Sequence, residues 1–105
     1  MSPFQKTTIQ IVTVDGREPV PGYTVRACPA IAVTRRAANY PWTLTHVPTG
    51  RTMSRTFPKL GDAKRTAAAV AELLANVDLT SDDPAVVAGR IMAVDGARAA
   101  LFCYR

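Results

Sequence analysis

Apolar and polar residues alternate along the first half of the chain, and this pattern predicts β-strands. Residues 7–14 (TTIQIVTV) are rich in β-branched side chains and form the first such strand. Residues 17–22 contain two prolines and a glycine, so we expect a turn or loop there. A second strand is predicted over residues 23–34, where Pro29 makes it either one bent strand or two short ones.

A β-hairpin over residues 42–47 and 51–57 is the clearest local pattern in the chain. The connection Pro48-Thr49-Gly50 suits a three-residue turn, because glycine adopts without steric penalty the left-handed conformation that closes such a turn. In this arrangement Val47 pairs with Arg51.

That pairing decides which side chains of the hairpin share a face. Trp42 and Leu44 would point towards the core, while Arg51 and Arg55 would project from the opposite, open face of the sheet. A cationic two-stranded ribbon of this kind can enter the major groove of DNA.

Helical periodicity in the second half of the chain predicts two helices. Apolar residues recur at helical spacing through the alanine-rich residues 62–75, and Asp62 is a reasonable N-cap. Asp83 and Pro84 form a strong start for a second helix over residues 84–95.

These elements predict an α+β fold, with an antiparallel sheet of four to five strands and two helices packed on one face. The 105 residues fit a single domain, residues 1–105, and 48% of them are hydrophobic, which is enough for a core. Residues 96–105 either return as a strand or continue the helix, and Asp95-Gly96 favours the strand. No apolar run approaches the roughly 20 residues that span a bilayer, so we expect no membrane partner and a cytoplasmic location.

Positive charge is concentrated in residues 26–65, which hold eight cationic side chains and one carboxylate, a net charge of +7. Residues 1–25 are neutral overall, and residues 66–105 carry a net charge of −2. Such a field raises the local concentration of polyanions, above all of nucleic acid. We therefore expect a nucleic-acid partner, contacted by cations of this stretch and by one exposed ring: Arg35, Arg36, Tyr40, Arg51, Arg55, Lys59, Lys64 and Arg65.

Aromatic rings are interleaved with these cations, as in many proteins that bind single strands. We expect Trp42 and Phe57 mainly to anchor the sheet on a helix, which leaves Tyr40 as the exposed ring. Lys64 and Arg65 fall in the first turn of the predicted helix, where the helix dipole disfavours cations. Either a nearby anion or ordinary solvation of a surface face would account for them.

Residues that could carry catalysis are few. His46, the only histidine, lies in a predicted strand, and we interpret it as a structural side chain that is hydrogen-bonded near the turn. The two cysteines, Cys28 and Cys103, are far apart in sequence and are interpreted as small buried hydrophobes. Helix capping explains Asp82 and Asp83 better than a catalytic acid pair does. We therefore predict no catalytic activity, no cofactor and no metal.

The hairpin and the helix after it carry a likeness to a known family. A Trp-Thr-Leu strand, a Gly-Arg turn, a Phe-Pro-Lys strand end and an Asp-Ala-Lys helix start follow one another within residues 40–75. This run resembles the arm-type DNA-binding domain at the N-terminus of phage tyrosine recombinases, in which a sheet face enters the DNA major groove. The resemblance implies that Arg51 is the turn cation, Arg55 the cation before the strand-ending Phe57, and Asp62-Ala63 the helix start.

The chain departs from that family in several places. Leu60-Gly61 stands where the family has Thr-Lys, residues 1–30 and the second helix have no counterpart, and a catalytic recombinase domain is absent from the sequence. Residues 42–50 (WTLTHVPTG) are also similar to small uncharacterised proteins of actinobacteria and their phages. The alanine-, arginine- and valine-rich composition agrees with such a high-GC source.

The sequence thus predicts a small basic DNA-binding accessory protein, encoded by a phage, that contacts phosphates through the cationic hairpin face. DNA is favoured over RNA, and the location would be the cytoplasm of the host cell. The alternative is a non-catalytic protein-interaction module that docks on a host protein or forms a homodimer through a sheet edge or face.

Overall fold

A computed structural model describes residues 2–94 and 96 of the chain. Over these residues it shows a five-stranded antiparallel sheet and two helices, so the predicted α+β fold is confirmed. The strands lie side by side in their order along the chain. The elements are β1 (Phe4–Thr13), β2 (Gly16–Val25), β3 (Cys28–Thr34), β4 (Trp42–His46), β5 (Arg51–Phe57), α1 (Leu60–Leu73) and α2 (Pro84–Met92). The predictions for Cys103 and for a strand near the C-terminus lie outside the described residues.

The segment predicted to be a loop, residues 17–22, belongs to β2, so that prediction is wrong. β1 is paired with β2 along its whole length, in one uninterrupted register. Within this pairing Pro19 lies opposite Gln10, and Pro21 lies opposite Thr8. Both prolines are therefore inside a continuous two-stranded ribbon.

The direction of the backbone N–H groups explains why β2 tolerates two prolines. The N–H of Val12 points away from β2, because it donates to the carbonyl oxygen of Gly50 at 2.8 Å. N–H groups alternate in direction along a strand, so those of Gln10 and Thr8 also point away from β2. The residues opposite them are not expected to donate to β1, and a proline there removes no ladder hydrogen bond.

Residues 23–34 form two strands rather than one bent strand. Val25 at the end of β2 lies opposite Cys28 at the start of β3, so the chain reverses over Arg26-Ala27. Pro29 is the second residue of β3. The alternative with two strands is thus correct in number, but the break lies at Arg26-Ala27 and not at the predicted Pro29.

The β4–β5 hairpin does not have the predicted register. His46, and not Val47, lies opposite Arg51, and the N–H of Gly50 donates to the carbonyl oxygen of His46 at 2.8 Å. Val47 is drawn to the other side, where its N–H donates to the carbonyl oxygen of Ala30 at 2.8 Å. The turn therefore contains four residues instead of three.

This change of register inverts the faces of β5, because side chains alternate along a strand. Trp42 lies opposite Phe57, and Thr45 lies opposite Thr52, with an irregularity between these pairs that places two extra residues in β5. The prediction that Arg51 and Arg55 project from the face opposite Trp42 and Leu44 is thus wrong. The side chains that share the face towards the helices, the helix face, are Trp42, Leu44, His46, Arg51, Met53, Arg55 and Phe57.

Helix α1 packs across β3, β4 and β5 and supplies most of the helical side of the core. It begins at Leu60, and its N-cap is Lys59, which makes no side-chain capping hydrogen bond. The prediction of Asp62 as N-cap is wrong, because this carboxylate lies inside the first turn and pairs with Arg65. The main core consists of buried residues from both layers, among them Ile31, Val33, Leu44, Met53, Phe57, Ala63, Ala67, Val70, Leu74, Val87 and Ile91.

Helix α2 starts as predicted. The carboxylate of Asp83 accepts a hydrogen bond from the N–H of Ala85 at 3.0 Å, and Pro84 is the first helical residue. The helix ends at Met92, three residues earlier than residue 95. Asp83 satisfies an N–H that has no partner within the helix, which confirms its role as a cap.

The face of the sheet away from the helices, the hydroxyl face, is not fully open. The β1–β2 ribbon bends over part of it, so that Ile9, Val20 and Ala32 form a second buried cluster. The hydrogen bond from Val12 to Gly50 fixes the end of this ribbon against the β4–β5 turn. The rest of the face carries mainly threonine and serine side chains: the buried Thr34 and Thr45, together with Thr43, Thr52, Ser54 and Thr56.

Replacing Gly50 by alanine should destabilise the fold. Gly50 has a φ of +70°, and an added Cβ would lie 2.7 Å from the carbonyl oxygen of Gln10. The left-handed backbone alone costs about 1–2 kcal/mol for alanine, so with the contact we expect a loss of roughly 2 kcal/mol or more in the free energy of unfolding by urea.

Gly89→Ala is the matched control, because Gly89 lies in α2 and an added Cβ would meet nothing within 4 Å. That variant should gain about 0.5–1 kcal/mol. Equal stability of Gly50→Ala and the unchanged protein would contradict the close approach of β1 to this turn.

Candidate functional site

The two hairpin arginines do not lie side by side on an open face. Arg51 begins β5 beside the turn, where it shares a shallow pocket with His46 and α2. Arg55 lies near the other end of β5, with its guanidinium over the ring of Phe57. Both side chains are exposed, but they belong to different parts of the helix face. The predicted ribbon of paired arginines is therefore replaced by another arrangement.

Three rings and three cations form a continuous surface at the end of the sheet where α1 begins. Neighbouring members touch through cation–π contacts, through contact between rings, or as opposite residues of paired strands. We call it the cation-ring surface, and its members are Tyr23, Arg35, Trp42, Arg55, Phe57 and Lys64.

Lys64, the fifth residue of α1, joins the helix to the β1–β2 ribbon. Its Nζ atom lies 4.2 Å from the centre of the Tyr23 ring and 5.2 Å from the centre of the Phe4 ring. The side chain is half-buried. Because α1 begins at Leu60, Lys64 lies beyond the first turn, to which the unfavourable effect of the helix dipole on cations is confined. The earlier start of the helix removes the dipole cost expected from the sequence, and attraction to the two ring faces holds the cation in place.

The two arginines of this surface flank a pair of rings that lie opposite each other in β4 and β5. The Cζ atom of Arg35 lies 4.3 Å from the ring centre of Trp42, and that of Arg55 lies 5.0 Å from the ring centre of Phe57. The Trp42 ring is also 6.1 Å from the ring of Tyr23. Stacking fixes the plane of a guanidinium while leaving its N–H groups available for other partners.

Carboxylates do not neutralise these three cations. Arg35, Arg55 and Lys64 have no carboxylate within 4.0 Å in the described part of the chain. Ion pairs form elsewhere, between Arg36 and Glu18 at 3.4 Å, between Arg90 and Asp78 at 3.4 Å, and between Arg65 and Asp62. Three of the eight described cations that have no carboxylate within 4.0 Å thus lie on the rings, and the other five are Lys6, Arg17, Arg26, Arg51 and Lys59.

The other predicted contact residues lie apart from these contacts or are already paired. Lys59 is exposed at the N-cap of α1, and Arg36 and Arg65 are engaged by carboxylates. Tyr40 is 47% exposed, which confirms it as the exposed ring, whereas Phe57 is 4% exposed and anchors the core as predicted.

Sequence reasoning missed Tyr23 as part of the surface. Tyr23 lies opposite Lys6 in the ribbon, and β2 brings it next to β3 and β4. The signal available in the sequence was the alternation of Tyr23 and Val25 along one strand, which places both on the core side. The contact with Lys64 depends on the packing of α1 and has no local signature.

The hydroxyl face holds a cleft of about 290 Å³ next to the cation-ring surface. Hydroxyl groups line it and bond to one another: Thr34 Oγ1 lies 2.8 Å from Thr45 Oγ1, and Thr43 Oγ1 lies 2.6 Å from Thr52 Oγ1. Carboxylates are absent from its described lining. Its mouth is formed by the β3–β4 connection, which contributes Arg35, Arg36, Tyr40 and Pro41. We call it the hydroxyl cleft.

His46 is a buried structural residue, hydrogen-bonded near the turn as predicted. Its Nε2 atom donates to the carbonyl oxygen of Leu79 at 2.6 Å, and its Nδ1 atom accepts from the N–H of Thr49 at 3.3 Å. The side chain is 2% exposed. It therefore ties the segment between the two helices to the β4–β5 turn.

Little else in the described residues resembles a reactive centre. Cys28 is half-buried rather than fully buried, and burial raises the pKa of its thiol, which keeps it protonated at neutral pH. Among residues 2–94 and 96, His, Cys, Asp and Glu side chains nowhere gather in the groups of three that a metal ion would need. Neither of the two described helices is long and apolar enough to cross a membrane.

Comparisons with known proteins add no assignment, since no family model, curated protein or solved structure matches the chain. The resemblance of residues 40–75 to recombinase arm-type domains therefore stays a prediction.

Acidification should weaken the fold through His46. Burial lowers the pKa of this imidazole below its ordinary value of 6.5, and the hydrogen bond to Leu79 offsets only part of that effect. Below pH 6.5 the imidazole binds a proton in the unfolded chain but not yet in the folded protein, which favours unfolding. The stability present at higher pH is therefore lost as the pH falls towards the pKa of the folded protein. The free energy of unfolding by urea should be lower at about pH 5.5 than at about pH 7.5.

His46→Gln separates this effect from that of the carboxylates, which titrate at lower pH. The variant should be less stable at neutral pH and should lose most of the dependence between these two values. An equal dependence in both proteins would show that His46 is not responsible.

Proposed function

We propose that the protein binds nucleic acid through the cation-ring surface, as a small non-catalytic accessory protein. The observation that supports this most is the position of Arg35, Arg55 and Lys64 on one connected set of rings, with no carboxylate beside them in the described residues. Cations without an acidic neighbour keep their charge available to an external polyanion.

Phosphates are the natural partners of such a surface. A guanidinium stacked on a ring keeps N–H groups that can bind a phosphate in bidentate fashion, and Arg35 and Arg55 are both of this kind. Lys64 adds a point charge between them and the start of α1. Contacts of this type supply affinity without reading sequence, and they make binding strongly dependent on salt.

DNA is the first ligand to test, because the arm-type domains that residues 40–75 resemble bind DNA. Of the residues that the resemblance implies, Arg55 and Phe57 belong to the cation-ring surface, whereas Arg51 lies at the other end of β5. We propose DNA over RNA, a phage origin and the host cytoplasm on the same grounds.

Binding should lose two phosphate contacts when Arg35 and Arg55 are both replaced by glutamine. The logarithm of the affinity for a fluorescently labelled duplex falls with the logarithm of the salt concentration, by about 0.9 per phosphate contact. The double variant should therefore show a slope shallower by about 1.8 in an anisotropy titration between about 50 and 300 mM salt.

The control is Arg17→Gln with Arg90→Gln, which removes the same charge outside the cation-ring surface. Arg17 lies by the β4–β5 turn, where it donates to the carbonyl oxygen of Thr49, and Arg90 lies on α2. If both double variants lose the same amount of salt dependence, the loss of binding comes from net charge and not from the cation-ring surface. Absence of binding by the unchanged protein at low salt would end the proposal.

A second candidate function, association through strand addition, is favoured by the edge of β1. This strand has ten residues, one charge (Lys6) and no proline, and its pairing with β2 contains no bulge. Among the described residues its outer edge makes one backbone hydrogen bond, at Val12. Edges with few charges and without prolines or bulges readily accept another strand, from a second copy of the chain or from a host protein.

Thr8→Pro tests this edge selectively. The N–H of Thr8 is directed to the open edge, so proline there should remove a bond to an added strand while sparing the bond pattern with β2. Light scattering after size-exclusion chromatography should show a dimer at high protein concentration for the unchanged chain and a monomer for the variant. A monomer for both, or a dimer for both, would count against pairing at this edge.

A further inference from the structure

The hydroxyl cleft and the cation-ring surface share a residue. Arg35 stacks on Trp42 and also lines the mouth of the cleft, so the two regions meet at the end of β3. A strand whose phosphate binds Arg35 would pass this mouth. We infer that the hydroxyl cleft receives one unstacked nucleotide of a single-stranded nucleic acid, an inference that rests on the proposed function.

The size of the cleft favours a single nucleotide unit. Its volume of about 290 Å³ lies at the lower end of the roughly 300–1,000 Å³ typical of small-molecule sites. Paired and stacked bases of a duplex are not free to enter such a space, whereas a base of a single strand can be turned out of its stack. The cleft therefore discriminates by strandedness.

The lining is chemically suited to a base. Each serine or threonine hydroxyl can donate one hydrogen bond and accept others, so it can rotate to match the edge of any base. Thr56 is exposed in the cleft, and its hydroxyl makes no hydrogen bond within the described residues. Ile11 and Pro41 add apolar surface at the side. Binding should therefore depend little on sequence.

Charge and an exposed ring complete the mouth of the cleft. The guanidinium of Arg36 is held at 3.4 Å by Glu18, the Arg36 side chain as a whole is 43% exposed, and Arg35 donates to the carbonyl oxygen of Ala38 at 3.1 Å. Tyr40, 47% exposed, supplies a ring on which a base can stack. A nucleotide placed here would have phosphate, base edge and base face each matched by a protein group.

Two variants test the cleft without changing the charge of the protein. Tyr40→Leu removes the ring, and Thr56→Val removes a hydroxyl that holds nothing else in place. We expect Tyr40→Leu to weaken binding of a labelled single-stranded 12-mer by about fivefold or more, since stacking on one ring contributes that much. Thr56→Val should weaken it by a smaller factor. Binding of the same sequence as a duplex should change by less than about twofold, because its phosphates use the cation-ring surface.

Thr8→Val is the control, since Thr8 is an exposed threonine of β1 outside the cleft. If the glutamine variants of Arg35 and Arg55 lose affinity while Tyr40→Leu and Thr56→Val bind the single strand as tightly as the control, the cleft inference is overturned and the proposed function stands. If the cleft variants lose single-strand affinity and the glutamine variants do not, the cleft inference stands without the proposed phosphate surface. Failure of the unchanged protein to bind the single-stranded 12-mer at low salt would overturn the inference as well.

Discussion

The pairing of His46 with Arg51 decides which way the side chains of the β4–β5 hairpin point. Three contacts hold it: the N–H of Gly50 closes the turn on His46, Val12 of β1 binds the carbonyl oxygen of Gly50, and the buried imidazole reaches Leu79 beyond α1. A shift by one residue would exchange the two faces of β5. The hairpin is thus fixed from both faces of the sheet. Its register places the side chains of the cation-ring surface on one face and those of the hydroxyl cleft on the other.

The aromatic rings on the helix face serve both the core and the surface. Phe57 is buried beneath α1 while one side of its ring meets Arg55, and Trp42 is half-buried against the core while Arg35 covers it. Lys64 makes a similar contact from the helix, over Tyr23. Because the rings are held by the core, the cations above them are held as well, and a polyanion would meet them with little loss of side-chain freedom.

The sequence alone was sufficient to predict features that depend on a few neighbouring residues. The Asp83 cap and the order of strands and helices belong to this class, as does the exposure of Tyr40. The two prolines of β2 led to a wrong prediction of a loop, because their effect depends on the strand opposite. The N–H groups of the facing residues in β1 point away from β2, so neither proline removes a hydrogen bond of the sheet. Tertiary contacts likewise set the hairpin register and the position of Lys64. No pattern within a single segment encodes them, and so the arrangement of the cationic side chains could not be read from the sequence.

The single tryptophan offers the most direct test of the central claim, that nucleic acid binds where cations stack on rings. Trp42 gives one indole N–H resonance, which can be followed in proton–nitrogen spectra while an oligonucleotide is added at low salt. The account predicts that this resonance shifts progressively, together with the backbone resonances of Arg35 and Arg55, and returns when salt is raised. An indole resonance that stays in place while residues of the β1 edge shift would contradict the account and would locate binding at that edge.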